Sequence, residues 1–219
     1  MLVIASPGQG AQKPGFLSPW LEIDSVRELA SHLSDAAGVD LIEHGTNSDA
    51  DTIRDTAVAQ PLLVGASIIT HSVLFGELDM PRPHFYTGHS VGEVAAAALS
   101  GVLEESAAMQ FVAVRSQAMA RAARAESTGM AAVVGGVRDE VLEAISAAGA
   151  TPANINGAAQ VVAAGRSDQL ATLADNAPAR ARVIPLDVAG AFHSPYMETA
   201  RDELSRAASD FFVRNPQVP

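Results

Sequence analysis

The segment 88–93, Gly-His-Ser-Val-Gly-Glu, carries the residues best suited to covalent chemistry. Gly88, Ser90 and Gly92 form a G-x-S-x-G pattern between a predicted strand at 85–87 and a predicted helix at 91–99, the context of a nucleophile elbow. The glycines allow a sharp turn from which the Ser90 Oγ projects, and the helix N-terminus directs N–H groups and partial positive charge to the same place. Such a turn stabilises an anionic tetrahedral intermediate. The pattern predicts Ser90 as a nucleophile.

A serine nucleophile needs a base. His193 follows the last strand of a predicted small domain, so its loop is a candidate to supply that base. His89 is adjacent to Ser90, and a tight turn directs neighbouring side chains apart, so we expect it to pack or hydrogen-bond beneath the elbow. The other histidines lie in polar or loop settings and are interpreted as structural: His32, His44, His71 and His84.

Two further features leave alternatives open. Arg115 follows apolar residues on a predicted helix at 104–125 and needs a partner, either an acidic side chain or a substrate carboxylate held by its guanidinium fork. The residues alone favour the salt bridge. Gly8 and Gly10 flank Gln9 after the first predicted strand, and this loop is either an oxyanion donor or only a turn.

The elements that must position these residues form two groups. The first 125 residues read as an α/β layer, with further helices at 24–37 and 59–75. The order β-α-β-β-α-β then follows, which is that of a ferredoxin-like unit, and its segments are 130–135, 139–148, 154–156, 161–164, 167–174 and 182–188. A last helix is predicted at 195–212. We expect residues 1–126 and 191–219 to form a large α/β domain and residues 127–190 an inserted ferredoxin-like domain.

Composition excludes several classes of function. The chain has 219 residues, 48% hydrophobic and 18% charged, which is enough apolar material for a packed core. A net charge of −11 argues against nucleic-acid binding, and the absence of cysteine excludes thiolate metal sites and a cysteine nucleophile. The N-terminus lacks the basic segment of a signal peptide, and uninterrupted apolar runs fall short of about 20 residues. These observations predict a cytoplasmic protein that spans no membrane and binds no metal.

Together these segments resemble the malonyl-CoA:acyl carrier protein transacylases and the related acyltransferase domains of polyketide synthases. The resemblance runs from residue 1 to about 200, in the order of that family. The matching stretches are P-G-Q-G at 7–10, T-A-V-A-Q-P at 56–61, G-H-S-V-G-E at 88–93, Arg115, T-G-M at 128–130, N-I-N-G at 154–157, Q-V-V-A-A-G at 160–165 and G-A-F-H at 190–193.

The resemblance implies ping-pong acyl transfer by a Ser90–His193 dyad, with an α/β-hydrolase-like large domain. Malonyl-CoA would acylate Ser90, and acyl carrier protein would accept the malonyl group on its phosphopantetheine thiol for fatty acid synthesis. No cofactor is implied, since the coenzyme A thioester is itself the substrate. The other roles implied by the resemblance are oxyanion stabilisation by the backbone N–H groups of Gln9 and Val91 and substrate binding by Arg115, Gln60, Asn154, Asn156 and Phe192.

Two positions bear on the choice of acyl group. In the related polyketide enzymes, a branched aliphatic residue after the nucleophile and Phe before the histidine accompany malonyl, and Gln and Ser accompany methylmalonyl. Val91 and Phe192 both match the malonyl pattern. Phe192 would fill the space that an α-methyl group needs.

Three expectations remain open. A serine hydrolase or thioesterase of the α/β-hydrolase type would need an acidic residue between the serine and the histidine, and Asp168, Asp175 and Asp187 lie in that interval. Members of the family are usually longer and monomeric, so the C-terminal part of the large domain is expected to be missing. A non-catalytic acyltransferase fragment with weak or absent activity is therefore a further alternative.

Overall fold

The chain divides into two compact units. A computed structural model describes residues 1–78 and 80–219. The first unit comprises Met1–Gln117 and Leu204–Pro219, and the second comprises Ala118–Glu203. The domain limits expected from the sequence, 126/127 and 190/191, stay a prediction.

The first unit combines a parallel strand pair with helices. Its strands are β1 (Val3–Ser6) and β2 (Phe85–Gly88), and its helices are α1 (Asp24–Ala37), α2 (Leu41–Thr46), α3 (Ala50–Arg54), α4 (Thr56–Ser72), α5 (Gly92–Leu99) and the greater part of α6 (Glu105–Ala125). A 3-10 turn at Trp20–Glu22 precedes α1, and a π-helical turn at Val73–Glu77 continues α4.

The two parallel strands determine where the functional loops begin. β1 and β2 pair in register, with Val3 opposite Phe85 and Ser6 opposite Gly88. α5 follows β2 after a three-residue turn and contacts both strands. Because the carboxyl ends of parallel strands meet at one edge, the loop after Ser6 and the turn after Gly88 leave the sheet side by side. The predicted strand–turn–helix around Ser90 is confirmed.

α4 is the central core helix of the first unit. Its residues from Ala59 to Ala66 are all buried, and Pro61 lies inside the helix, beyond the first turn, where it has no N–H to donate to the carbonyl oxygen four residues earlier. The segment Thr56–Glu77 also has the length and mean hydropathy, 1.6, of a membrane span, although 61% of its apolar window is buried inside the protein. Reasoning from uninterrupted apolar runs missed this segment. Burial of this extent is typical of a core helix.

Two short helices were not predicted from the sequence. α2 begins after Asp40, whose side chain accepts a hydrogen bond from the Glu43 N–H, and α3 begins after Asp49, whose side chain accepts one from the Thr52 N–H. Asp is one of the residues preferred at a helix N-cap. Asp40 and Asp49 therefore indicated two helix starts in the sequence, but the segments that follow them are too short to show a clear helical periodicity.

The C-terminal segment ends in residues 211–219, which form neither helix nor strand and are called the strap below. The predicted helix at 195–212 is too long, since α9 covers only Glu198–Ala207, between 3-10 turns at Pro195–Met197 and Ala208–Asp210. The backbone of Phe211 is extended. Within the first unit, the strap bonds to the segment between α5 and α6 and to β2, through Arg214 N to Val102 O (2.9 Å), Gln217 N to Ser100 O (2.8 Å) and Tyr86 N to Pro219 O (2.8 Å).

The second unit is built on a four-stranded antiparallel sheet. Its elements are β3 (Thr128–Gly135), α7 (Arg138–Ala147), β4 (Thr151–Ile155), β5 (Gln160–Arg166), α8 (Ser167–Asp175) and β6 (Ala181–Leu186). The strand order is β4-β5-β3-β6 with antiparallel neighbours. The predicted β-α-β-β-α-β order is confirmed, and this arrangement of the sheet is the ferredoxin-like one.

Candidate active site

The turn that carries Ser90 is a strained nucleophile elbow. Ser90 has a φ of 54°, a left-handed conformation that costs a non-glycine residue about 1–3 kcal/mol. A Cβ at Gly88 would overlap the backbone of Gly92 and Glu93, and a Cβ at Gly92 would overlap the carbonyl oxygen of Ser6. The two glycines are therefore required because strand, turn and helix approach more closely than any side chain allows.

Hydrogen bonds lock this turn to β1 and start α5. His89 N donates to Ser6 O, Gly92 N to His89 O and Glu93 N to Ser90 O, each at 3.0 Å. Val91 is at the N-cap position of α5, and 1% of its surface is exposed. Because Val91 is an N-cap residue, its N–H has no carbonyl partner within α5, as an oxyanion donor requires.

The position of His89 differs from the one expected from the sequence. The residue is exposed rather than packed beneath the elbow. Its ring lies against the loop after β1, with Nδ1 2.5 Å from the position that a Cβ at Gly8 would occupy. A side chain at position 8 would therefore displace the His89 ring, and its Cβ would lie 3.0 Å from the His89 carbonyl oxygen.

Gln9 lies in that same loop. Its Nε2 donates to Thr56 Oγ1 at 3.2 Å and to the carbonyl oxygen of Arg54 at 3.4 Å. The side chain of Gln9 therefore points toward the start of α4, and its part in any oxyanion site would be played by the backbone N–H.

Arg115 lies directly beside the predicted nucleophile. Its Nη2 is 3.3 Å from Ser90 Oγ, and its Nη1 donates to Gln60 Oε1. Gln60 is on α4 and only 1% exposed, so the guanidinium is fixed on a buried amide. Burial lowers the pKa of Arg115 and the nearby charge of Glu93 opposes that change, and an arginine stays protonated in proteins. The arrangement places a fixed positive charge next to the Ser90 hydroxyl.

His193 lies in the second unit, in a tightly anchored loop. Its φ is 56°, so it shares the left-handed strain of Ser90. Ala191 N donates to Thr128 Oγ1 at 3.1 Å, Phe192 is 6% exposed, and a Cβ at Gly190 would lie 2.7 Å from the Cβ of Ala123. The described residues include only one other non-glycine with positive φ, Arg180. Strained residues cluster at functional sites.

The remaining predicted site residues belong to the second unit. Asn154 and Phe192 are at least partly buried, whereas Asn156 is exposed and donates from Nδ2 to Gln160 Oε1 at 3.1 Å. These contacts assign no chemistry to the two asparagines.

The three acidic residues considered for a hydrolase triad lie on or next to α8 and β6 of the second unit. Asp168 is 71% exposed and lies 3.2 Å from Arg166 Nε, and this hydrogen bond lowers the pKa of its carboxyl group. Asp175 ends α8 and Asp187 follows β6. Among residues 1–78 and 80–219, no three His, Asp or Glu side chains group closely enough to hold a metal ion.

A serine on a strand–turn–helix elbow, next to a fixed guanidinium, is an arrangement suited to acyl transfer. Residues 5–219 match the family described as "Acyl transferase domain". The class defined by the fold and by this elbow is therefore that of the acyl transferases.

Similar proteins and solved structures identify the family within the acyl transferases to which the chain belongs. The malonyl CoA-acyl carrier protein transacylase of Mycobacterium tuberculosis is 42% identical over 217 residues, which are 99% of this chain and 72% of that protein. The crystal structure of MCAT from M. tuberculosis superposes with a TM-score of 0.95, covering 100% of this chain and 72% of that one. A type II polyketide acyl-carrier protein in complex with its malonyl-transacylase gives a TM-score of 0.92 at 26% identity, covering 100% of this chain and 72% of that one. The chain belongs to the malonyl-CoA:acyl carrier protein transacylase family.

Sequence reasoning missed one residue near the elbow. Gln12 joins the loop after β1 to α3, with Oε1 accepting from Gly10 N at 2.9 Å and Nε2 donating to Ile53 O at 3.1 Å. The signal available was a second glutamine three positions after Gln9. Its partner Ile53 is 41 residues away along the chain, which no local pattern reveals.

Proposed function

We propose that this chain transfers a malonyl group from malonyl-CoA to the phosphopantetheine thiol of acyl carrier protein, through a malonyl ester of Ser90. The observation that carries the proposal is the guanidinium of Arg115, 3.3 Å from Ser90 Oγ and held by buried Gln60. A malonyl thioester has a free carboxylate two bonds from its reacting carbonyl carbon. A cation beside the nucleophile binds that carboxylate while the carbonyl carbon meets the hydroxyl.

The first half-reaction acylates the serine. His193 accepts the proton of the Ser90 hydroxyl as Oγ bonds to the thioester carbon. The N–H groups of Gln9 and Val91 stabilise the negative charge on the carbonyl oxygen. The carbon–sulfur bond then breaks, the sulfur takes the proton from His193, and coenzyme A leaves as a thiol.

The second half-reaction reverses these steps with a different thiol. The carrier-protein thiol gives its proton to His193 and attacks the ester carbon. The ester bond to Ser90 Oγ breaks, and Ser90 regains its proton from His193. A thioester is exchanged for a thioester overall, so the reaction needs no energy source. The partner is supported by the relative that was solved in complex with a polyketide acyl-carrier protein.

Mass spectrometry of the acylated protein tests the proposal. Wild-type protein incubated with malonyl-CoA is expected to gain the mass of one malonyl group on the peptide that contains Ser90, and to lose it when holo-acyl carrier protein is added. Ser90→Ala is the matched control and stays unmodified. Release of free malonate without transfer would instead indicate a thioesterase, and no ester at all would indicate a non-catalytic protein.

The choice of malonyl over methylmalonyl forms a second part of the proposal. Phe192 is 6% exposed and packs with Ala191 and Met197 in a buried cluster. We propose that its ring excludes an α-methyl group from the acyl site. Phe192→Ser is expected to raise the ratio of methylmalonyl to malonyl transfer, measured by competition between the two coenzyme A esters. An unchanged ratio would remove Phe192 from this role.

A further inference from the structure

The loop after β1, residues 7–13, is held by two glutamine side chains. Gln9 reaches Thr56 and the Arg54 carbonyl, and Gln12 reaches the Ile53 carbonyl. Gln12 alone also bonds back to the loop, since its Oε1 accepts the Gly10 N–H at 2.9 Å. Its single amide group therefore bridges the loop and the end of α3.

The anchor on the far side of this bridge is rigid. The Ile53 side chain is 2% exposed and belongs to the main hydrophobic core. Asp55 then caps α4, accepting from the Ala57 N–H at 2.8 Å, and Thr56 is 1% exposed. A backbone carbonyl between a core side chain and a capped helix start has little freedom to move. A hydrogen bond to the Ile53 carbonyl thus fixes the loop relative to the hydrophobic core.

The loop needs such a restraint because of its glycines. Gly10 has a φ of 105° and nothing within 4 Å of the position of a Cβ, so side-chain packing does not hold its backbone. Glycine also has the largest conformational freedom to lose on ordering. The hydrogen bond to Gln12 fixes the plane of the peptide between Gln9 and Gly10. The Gln9 N–H lies on the other side of the Gln9 Cα, whose side chain is itself bonded to Thr56 and to the Arg54 carbonyl, so both restraints together limit where this N–H can point.

We propose that Gln12 is a positioning residue, whose side-chain amide clamps the loop between Gly10 N–H and Ile53 C=O and so holds the Gln9 N–H in its oxyanion-binding position. The proposal rests on the function proposed above. Gln12 acts through the loop and makes no contact with substrate. Its loss would weaken charge stabilisation in the transition state and leave binding of the ground state unchanged.

Two substitutions distinguish the contributions of the two hydrogen bonds made by the Gln12 side chain. Gln12→Ala removes both bonds, and Gln12→Glu keeps the acceptor for Gly10 but replaces the donor to the Ile53 carbonyl by a carboxylate oxygen. Removal of a whole oxyanion donor costs about 100- to 1000-fold in kcat, and a misplaced donor costs less. We expect kcat to fall about 10- to 100-fold in Gln12→Ala, with KM for malonyl-CoA within about twofold of wild type. The kcat of Gln12→Glu should lie between that of wild type and that of Gln12→Ala.

A second measurement keeps the test independent of malonyl chemistry. Labelling of Ser90 by a fluorophosphonate also passes through an oxyanion, so its rate constant should fall in Gln12→Ala by a factor similar to kcat. If wild type forms no malonyl ester, the proposed function fails, while the labelling rates still decide the role of Gln12. The matched control is Gln110→Ala, an exposed glutamine on α6. All rates are measured well below the unfolding midpoint of each variant.

Three results would overturn the proposal. The first is an unchanged labelling rate in Gln12→Ala. The second is full recovery in Gln12→Glu, which would make the bond to Ile53 irrelevant. The third is a rise in KM with an unchanged kcat, which would place Gln12 in substrate binding.

Discussion

Replacing Arg115 by alanine should abolish the preference for a carboxylated acyl group while leaving the chemistry at Ser90 in place. In the folded protein, Nη1 of this arginine is already bonded to Gln60, and Nη2 is the group that reaches Ser90 Oγ. An acetyl group offers this cation nothing, whereas a malonyl carboxylate offers an anionic acceptor. Arg115→Ala therefore removes an interaction that only the malonyl substrate makes.

The size of the effect follows from the number of Arg115 donors that Gln60 does not occupy. A hydrogen bond to a charged group contributes about 1.5–3 kcal/mol. Because Gln60 occupies one arm of the fork, we count one strong bond to the carboxylate and a weaker share of a second, about 3 kcal/mol together. That is about 100-fold in kcat/KM. Acetyl transfer should change by less than about threefold, since acetyl loses no ionic partner.

The assay compares kcat/KM for malonyl-CoA and acetyl-CoA, with holo-acyl carrier protein as acceptor, in wild type, Arg115→Ala and Arg115→Lys. Lysine keeps the charge but has no planar fork, so it should restore about tenfold of the lost malonyl activity. Arg201→Ala is the control, because Arg201 is a solvent-exposed arginine that pairs with Glu198 and Asp202. Thermal unfolding of each variant shows whether the fold is intact.

Equal losses for malonyl and acetyl would refute the reasoning. Such a result would mean that Arg115 supports the elbow instead of selecting the acyl group. A lysine variant no better than alanine would likewise show that charge alone is not what the site uses.

Three other predictions concern the fold. Gly88→Ala should lower the free energy of unfolding by about 3 kcal/mol or more, because its Cβ overlaps backbone, whereas Gly76→Ala, with nothing within 4 Å, should not destabilise the protein in urea titrations. Phe211→Ala should cost about 1–2 kcal/mol through its edge-on contact with an α6 ring, and Arg214→Ala, an exposed ion pair, less than about 0.5 kcal/mol; the opposite ranking would contradict this picture of the strap. Burial lowers the pKa of His71, so its neutral form stabilises the fold above about pH 6.5 and this contribution is lost as the pH falls toward the lowered pKa. Urea titrations at pH 7.5 and 5 should show a smaller difference in His71→Gln than in wild type, and an equal difference would be inconsistent with this pKa.

The local features of the site were predictable because they are encoded at short range. The spacing of Gly88, Ser90 and Gly92 predicts a strand–turn–helix, and the structure shows that each glycine is required by contact with backbone. The alternation of strands and helices after residue 125 likewise predicts the ferredoxin-like order. These signals depend on residues within one or two elements.

The partners of Arg115 were not predictable from the residues alone. Its apolar neighbours favoured a structural salt bridge, and the structure gives hydrogen bonds to Gln60 and Ser90, 55 and 25 residues away. The clamp formed by Gln12 was hidden for the same reason. Only the tertiary arrangement brings these groups together, that of α4, α6 and the turn after β2 for Arg115, and that of α3 and the loop after β1 for Gln12.

The left-handed backbone at Ser90 and His193 has a consequence for engineering. Each residue holds a conformation that glycine would adopt without steric cost. Replacing either by glycine should leave stability unchanged or raise it by about 1 kcal/mol, after allowing for the larger entropy of the unfolded chain. A screen that selects this protein only for heat resistance would therefore favour loss of the two side chains proposed to carry out the reaction. Directed evolution of a more stable variant has to select for acyl transfer in the same round.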